Sequence, residues 1–134
     1  MTKTAQIFNL TAPYANPYQG DRTRILFVCS VGWVRSPTAA AIGIQRGYNT
    51  RSCGSDTSCA LIPLSVNLIK WAEVIVFVNV ENYLQSLKEF ANTGYEEDIK
   101  TKSVVMNIPD NYEALSPHLM RIINAWFDEW ESSK

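Results

Sequence analysis

The sequence predicts an α/β fold: a three-layer, doubly wound, four-stranded parallel sheet in the order 2-1-3-4, with helices on both faces. Three observations carry this. Apolar runs at Ile25–Val28 and Val74–Val78 are continuous rather than alternating, as in strands buried on both faces. Helical patterns follow these strands, and strand–helix alternation implies right-handed crossovers and a sheet covered on both sides. The chain has 134 residues, 46% of them hydrophobic, enough for one core.

Residues 1–23 hold Pro13, Pro17 and Gly20 without clear periodicity and are expected to form an N-terminal extension; residues 24–134 form the single domain. From Arg24 the pattern changes, and Ile25–Val28 reads as the first strand, with Cys29 at its end. After a short loop, Ser36-Pro37 supplies a capping residue and a proline at the first helical position, and a helix continues to about Gly47. Asn49–Cys53 is the second strand, Ser65–Trp71 a short helix and Val74–Val78 the third strand. In Asn82–Ala91 the spacing sets Tyr83, Leu84, Leu87 and Phe90 on one helical face, with Gly94 as a stop signal. Val104–Ile108 is the fourth strand. The last helix starts with Ser116 as cap, Pro117 at its first position and Leu115–Met120 as a hydrophobic staple; its stripe is Leu119, Ile122, Ile123, Trp126 and Trp130.

Net charge is -1 with 19% charged residues, which excludes a globally basic nucleic-acid binder and a disordered chain. The stretch AEVIVFVNV is too short for a membrane span and is interrupted by Glu73 and Asn79. Three cysteines behind MTKTAQIFNL, which has no long apolar segment, point to a reducing, cytoplasmic setting rather than a disulfide framework. Cys53, Cys59 and His118 have no recognised metal-ligand spacing, so no metal and no cofactor are expected, and His118 reads as an early helical residue beside a cap.

The chemistry concentrates in VCSVGWVRSP, where Cys29 ends a strand at the sheet edge on which α/β sites lie. If residues 30–35 wrap around Cys29, the backbone N–H groups of Ser30, Val31, Gly32, Trp33 and Val34 converge on it. The following helix adds the positive end of its dipole. Such surroundings favour a thiolate and equally bind a phosphate dianion. Arg35 closes the cradle, its planar fork matching two phosphoryl oxygens. The Ser36 hydroxyl is placed to donate to the sulfur and ease its departure in a second step. An acid is also needed to protonate the leaving oxygen.

The stretch ILFVCSVGWVRSPTAA resembles the signature of low molecular weight protein tyrosine phosphatases, Cys-x5-Arg-Ser-Pro after a strand. The resemblance extends over most of residues 24–127: RSCG is similar to the family's Ser-Ala-Gly segment, WAEVIVFV to its Trp-Ala-Asp and following strand, and NIPDNY to its Asp-Pro-Tyr loop. It implies Cys29 as nucleophile and Asp110 as general acid, in a phosphomonoester hydrolase acting on a phosphotyrosine protein or a small aryl phosphate. Trp33 and Tyr112 could flank an aromatic leaving group, or pack or lie exposed. Three departures stand out. Gly32 replaces the family's usual asparagine, Val34 replaces the second cysteine of many members, and Gly54–Trp71 is shorter, as in a compact bacterial or viral branch. Cys53 then stands as a possible redox partner for Cys29, or as a small buried thiol. Two other functions stay open: a thioredoxin-coupled arsenate reductase, with Cys53 and Cys59 as a relay, and a noncatalytic phosphate-binding or interaction module.

Overall fold

The computed structural model describes residues 22–30, 35–58, 60, 62–108 and 116–133. The proposed extension 1–23 therefore lies outside the described residues up to Asp21. Four strands, β1 (Arg24–Cys29), β2 (Asn49–Gly54), β3 (Val74–Phe77) and β4 (Ser103–Val105), form one sheet in the order β2-β1-β3-β4. Every pairing is parallel. The expected order holds.

Among the described residues the helices are α1 (Arg35–Gln45), α2 (Val66–Trp71), α3 (Val80–Glu89), α4 (Glu96–Lys102) and α5 (Pro117–Ser132). None is long and apolar enough to cross a membrane. The continuous apolar run of β1 is explained by its central place: Ile25, Leu26, Phe27 and Val28 have no exposed surface. Alternate side chains face opposite layers. Ile25, Phe27 and Cys29 pack with Ala39, Ala40 and Ile42 of α1 and Leu119, Ile123 and Phe127 of α5. Leu26 and Val28 pack with Cys53, Leu68, Ile69, Ile75, Phe77 and Ile99 on the other side.

The sheet and α1 meet at close range. Thr50 donates its hydroxyl to the Ala40 carbonyl at 2.6 Å, which fixes its methyl against Gly43. A Cβ on Gly43 would come within 2.5 Å of Thr50 Cγ2. Gly43→Ala is therefore expected to destabilise the protein by about 1–3 kcal/mol through overpacking, although alanine favours a helix over glycine by about 1 kcal/mol. A lower midpoint of urea unfolding checks this; a raised midpoint would contradict it. The helix then stops on Gly47 at φ 96, where Tyr48 N donates to Gly43 O at 2.9 Å and Gly47 N to Ile44 O at 3.0 Å, the paired bonds of a Schellman motif.

Several expected boundaries move. Helix α1 begins at Arg35, one residue before the expected cap, so Ser36 lies in its first turn. Ser116 caps α5 as expected, while Ser65, expected as the first helical residue, caps α2. Helix α3 begins at Val80, because Asn79 and Asn82 bond reciprocally as a capping box ahead of the expected start. Tyr83, Leu87 and Phe90 pack inward as expected, but Leu84 is 56% exposed. Strand β4 is shorter than expected, although Met106 N and Ile108 N still donate to Phe77 O and Val78 O beside it. Helix α4 was not expected at all. In α5 the stripe includes Phe127, fully buried, while Ile122, Trp126 and Trp130 are only partly buried. Leu115 of the expected staple lies outside the described residues.

Candidate active site

Cys29 is the last residue of β1, at the carboxyl edge of the sheet, and only 3% exposed. Its carbonyl accepts from Ser55 N at 2.7 Å, and that of Ser30 accepts from Asp56 N at 2.8 Å. The backbone that delivers the sulfur is thus held by the turn after β2. The first turn of α1 brings Ser36 to it: Cys29 Sγ and Ser36 Oγ lie 3.1 Å apart, both buried. Ser36 Oγ also reaches the Cys53 carbonyl at 3.3 Å. One hydroxyl proton thus has two acceptors within reach: the carbonyl when sulfur keeps its proton, the sulfur when it is a thiolate.

Arg35 is 3% exposed and donates through Nη1 to the Ile108 carbonyl at 2.8 Å. That carbonyl lies just beyond β4. The arginine side chain therefore joins α1 to the segment leading into residues 109–115. Asp110 and Tyr112 of that segment lie outside the described residues, as do Val31, Gly32, Trp33 and Val34 of the loop. Of the expected site residues, the structure brings Ser36 to Cys29, with Ser30 and Arg35 next to them in the chain.

A further residue belongs to this assembly. Asn82 of α3, 1% exposed, donates through Nδ2 to Ser30 Oγ at 3.1 Å and to Ser55 Oγ at 3.2 Å. Ser55 in turn donates to Gln85 Oε1 at 2.7 Å. One amide thereby ties the start of the loop to the turn after β2 and to α3. The sequence signal for Asn82 is its place three residues after Asn79, which announces a helix cap; nothing in the spacing indicates that its amino group reaches Ser30.

The register sets the Cys53 side chain apart from Cys29. In the register, Cys53 pairs with Val28 and Gly54 with Cys29, and neighbours across a sheet share a face while successive residues alternate. The Cys53 thiol accordingly lies in the layer with Leu26 and Val28, and that of Cys29 in the opposite layer. No disulfide joins Cys29 to Cys53. Burial, and secondarily the nearby Cys29, push the Cys53 pKa well above its ordinary value, so it remains a protonated, inert group packed as a hydrophobe. Cys59 lies outside the described residues. His118, exposed in the first turn of α5, is far in sequence and element from this cluster. Among the described residues no group of three or more His, Cys, Asp or Glu is placed to hold a metal ion.

Comparison with solved structures places the scaffold. Wzb from Vibrio vulnificus, in complex with benzylphosphonate, aligns with a TM-score of 0.62 at 15% identity, covering 84% of this chain and 99% of that one. The low molecular weight protein tyrosine phosphatase SP-PTP from Streptococcus pyogenes gives 0.57 at 14%, covering 80% and 92%. The fold is that of the low molecular weight protein tyrosine phosphatases. The YwlE arginine phosphatase from Geobacillus stearothermophilus has this fold too, with a TM-score of 0.56 at 16% identity over 83% of this chain and 94% of that one. No family model matches the sequence, and no curated protein matches it. The phosphatase fold is therefore evident in the backbone path while overall sequence identity is low.

Proposed function

We propose that the chain is a cysteine-dependent phosphomonoester hydrolase of the low molecular weight protein tyrosine phosphatase type, acting on a phosphotyrosine protein or small aryl phosphate. The observation that carries this is the buried contact of Cys29 Sγ with Ser36 Oγ at 3.1 Å. It sits at the strand end of a phosphatase fold, with Arg35 beside Ser36. A structural thiol would need neither the arginine nor the hydroxyl.

Residues 30–35 cradle the phosphoryl group, and Arg35 follows its oxygens as they become equatorial. The Cys29 thiolate attacks phosphorus in line, forming the P–S bond as the P–O bond to the leaving group breaks. Asp110 gives its proton to the departing oxygen. Water then attacks the cysteinyl-phosphate, Asp110 takes the proton, and the P–S bond breaks with Ser36 donating to the sulfur. The hold of Arg35 on Ile108 O supports the part given to Asp110, because it secures the backbone two residues before that carboxyl. The reaction consumes one water and needs no cofactor. Such a protein belongs in the cytoplasm, where its thiol stays reduced.

The disulfide relay of an arsenate reductase is disfavoured by the opposed faces of Cys29 and Cys53. A noncatalytic module is disfavoured by Ser36, whose contact with sulfur serves turnover rather than phosphate binding. Since an arginine phosphatase shares the fold, the substrate panel should set phosphotyrosine peptides against phosphoarginine peptides.

The test is a series of aryl phosphates of graded leaving-group pKa. The wild type is expected to hydrolyse all of them, and Asp110→Asn to slow the poorest leaving groups by about 10²–10⁴-fold while sparing the best. Uniform slowing would remove Asp110 from the acid role; no hydrolysis by the wild type would remove the enzyme.

A further inference from the structure

Arg51, in the middle of β2, has no exposed surface. Among the described residues its Nε, Nη1 and Nη2 have no hydrogen-bond partner. Its guanidinium carbon lies 4.5 Å from the Trp71 ring centroid, over the ring. Two residues back on the same strand, and so on the same face, Asn49 is 4% exposed and its Oδ1 also lacks a partner.

Glu73, two residues after Trp71, is committed elsewhere. Glu73 is bound by Arg24, through its backbone N–H at 3.2 Å and its Nη1 at 3.4 Å, and Arg24 Nε donates to the Trp71 carbonyl at 2.6 Å. Arg24 thereby fixes the Trp71 backbone while adding positive charge nearby. Burial draws the Arg51 pKa below its ordinary value, yet a guanidinium remains charged at neutral pH. A buried charge without a counter-charge is strongly unfavourable, and stacking on an indole recovers only part of the loss. Buried polar groups in native proteins are almost always paired. The donors of Arg51 call for anionic oxygens, and the acceptor of Asn49 calls for a proton.

We propose that Arg51, Asn49 and Trp71 form a second oxyanion site, for a small anion that also carries a proton, of which dihydrogen phosphate is the simplest. The guanidinium fork takes two oxygens, Trp71 supports its face, and the anion's own O–H donates to Asn49 Oδ1. This site is separate from the Cys29 loop. Arg51 pairs with Leu26, three residues and about 10 Å back along β1 at about 3.3 Å per residue, and it occupies the opposite face from the Cys29 thiol. Its occupancy does not depend on the chemistry proposed for Cys29.

Arg51→Met keeps the volume and removes the charge. In phosphate-free Tris chloride this variant is expected to melt above the wild type, since it relieves an unpaired charge. Added inorganic phosphate should raise the wild-type Tm by at least about 4 °C more than that of Arg51→Met. Phosphate held in the Cys29 loop contributes equally to both proteins and cancels. Sulfate, which has no proton to donate at neutral pH, should give a smaller difference between the two. Equal phosphate shifts in both proteins, or equal differences with phosphate and sulfate, would overturn the proposal. Should Arg51→Met fail to fold, equilibrium dialysis of phosphate against wild-type protein carboxymethylated at Cys29, whose loop is filled, decides instead: about one phosphate per chain supports the site and none refutes it.

Discussion

Cys29→Ser is expected to abolish aryl phosphate hydrolysis, lowering kcat by at least about 10⁴-fold, while Cys53→Ser leaves kcat within about twofold. The asymmetry follows from placement rather than from residue type. Cys29 shares its layer with α1 and meets Ser36 at 3.1 Å; Cys53 lies in the other layer, 1% exposed, among Leu26, Val28 and Leu68. A serine at position 29 has a far less ionised nucleophile, and its oxygen would be a poorer leaving group in the second step. Steady-state assays of both variants at neutral pH provide the check. Substantial loss of turnover in Cys53→Ser with native stability would revive a two-thiol mechanism.

Phe127→Ala is expected to cost about 3–5 kcal/mol, a large share of the 5–15 kcal/mol typical of a small domain. Phe127 has no exposed surface. It meets Phe27 of β1 edge-on at 5.9 Å, stacks with Tyr48 at 5.8 Å and packs against Trp126 at 5.0 Å, and the Arg46 guanidinium lies 5.1 Å from its centroid. Truncation would hollow out the joint between α5 and the sheet. Urea unfolding should show the loss as a lower midpoint with an unchanged slope. A loss under about 1 kcal/mol would mean that α5 contributes little to the core.

The central part of this architecture could be read in advance because burial on both faces leaves an unmistakable mark. Ile25–Val28 is apolar at every position, since neither side of β1 meets water. The cap Ser116 was equally legible, being local chemistry between a hydroxyl and an N–H three residues on. Helix α4 was not, because EEDIKTK contains one apolar residue and therefore no periodicity. It is held by fully buried Ile99, by acids in its first turn and lysines in its last that complement the helix dipole, and by Lys102 Nζ donating to Ile69 O at 2.8 Å. Leu84 misled for the converse reason: an apolar residue beside a buried stripe costs little when left in water.

The candidate site divides in the same way. Cys29, Arg35 and Ser36 are adjacent in one motif, so sequence spacing alone brings them to one strand–helix junction. Asn82 and the Ile108 carbonyl arrive from β3 and β4 crossovers, 52 residues from Ser30 and 73 from Arg35 respectively, and only the parallel topology makes them neighbours. The opposed thiols are a matter of register, in which one step along a strand reverses the face.

The sulfur of Cys29 belongs to the most deeply embedded strand of the sheet, not to a tip that sways. If Cys29 is the nucleophile proposed above, a sulfur mounted on so stiff a beam has almost no travel of its own. On that proposal, alignment for attack comes from how the incoming phosphoryl group seats itself, and poorly shaped esters are rejected by geometry before any bond is made.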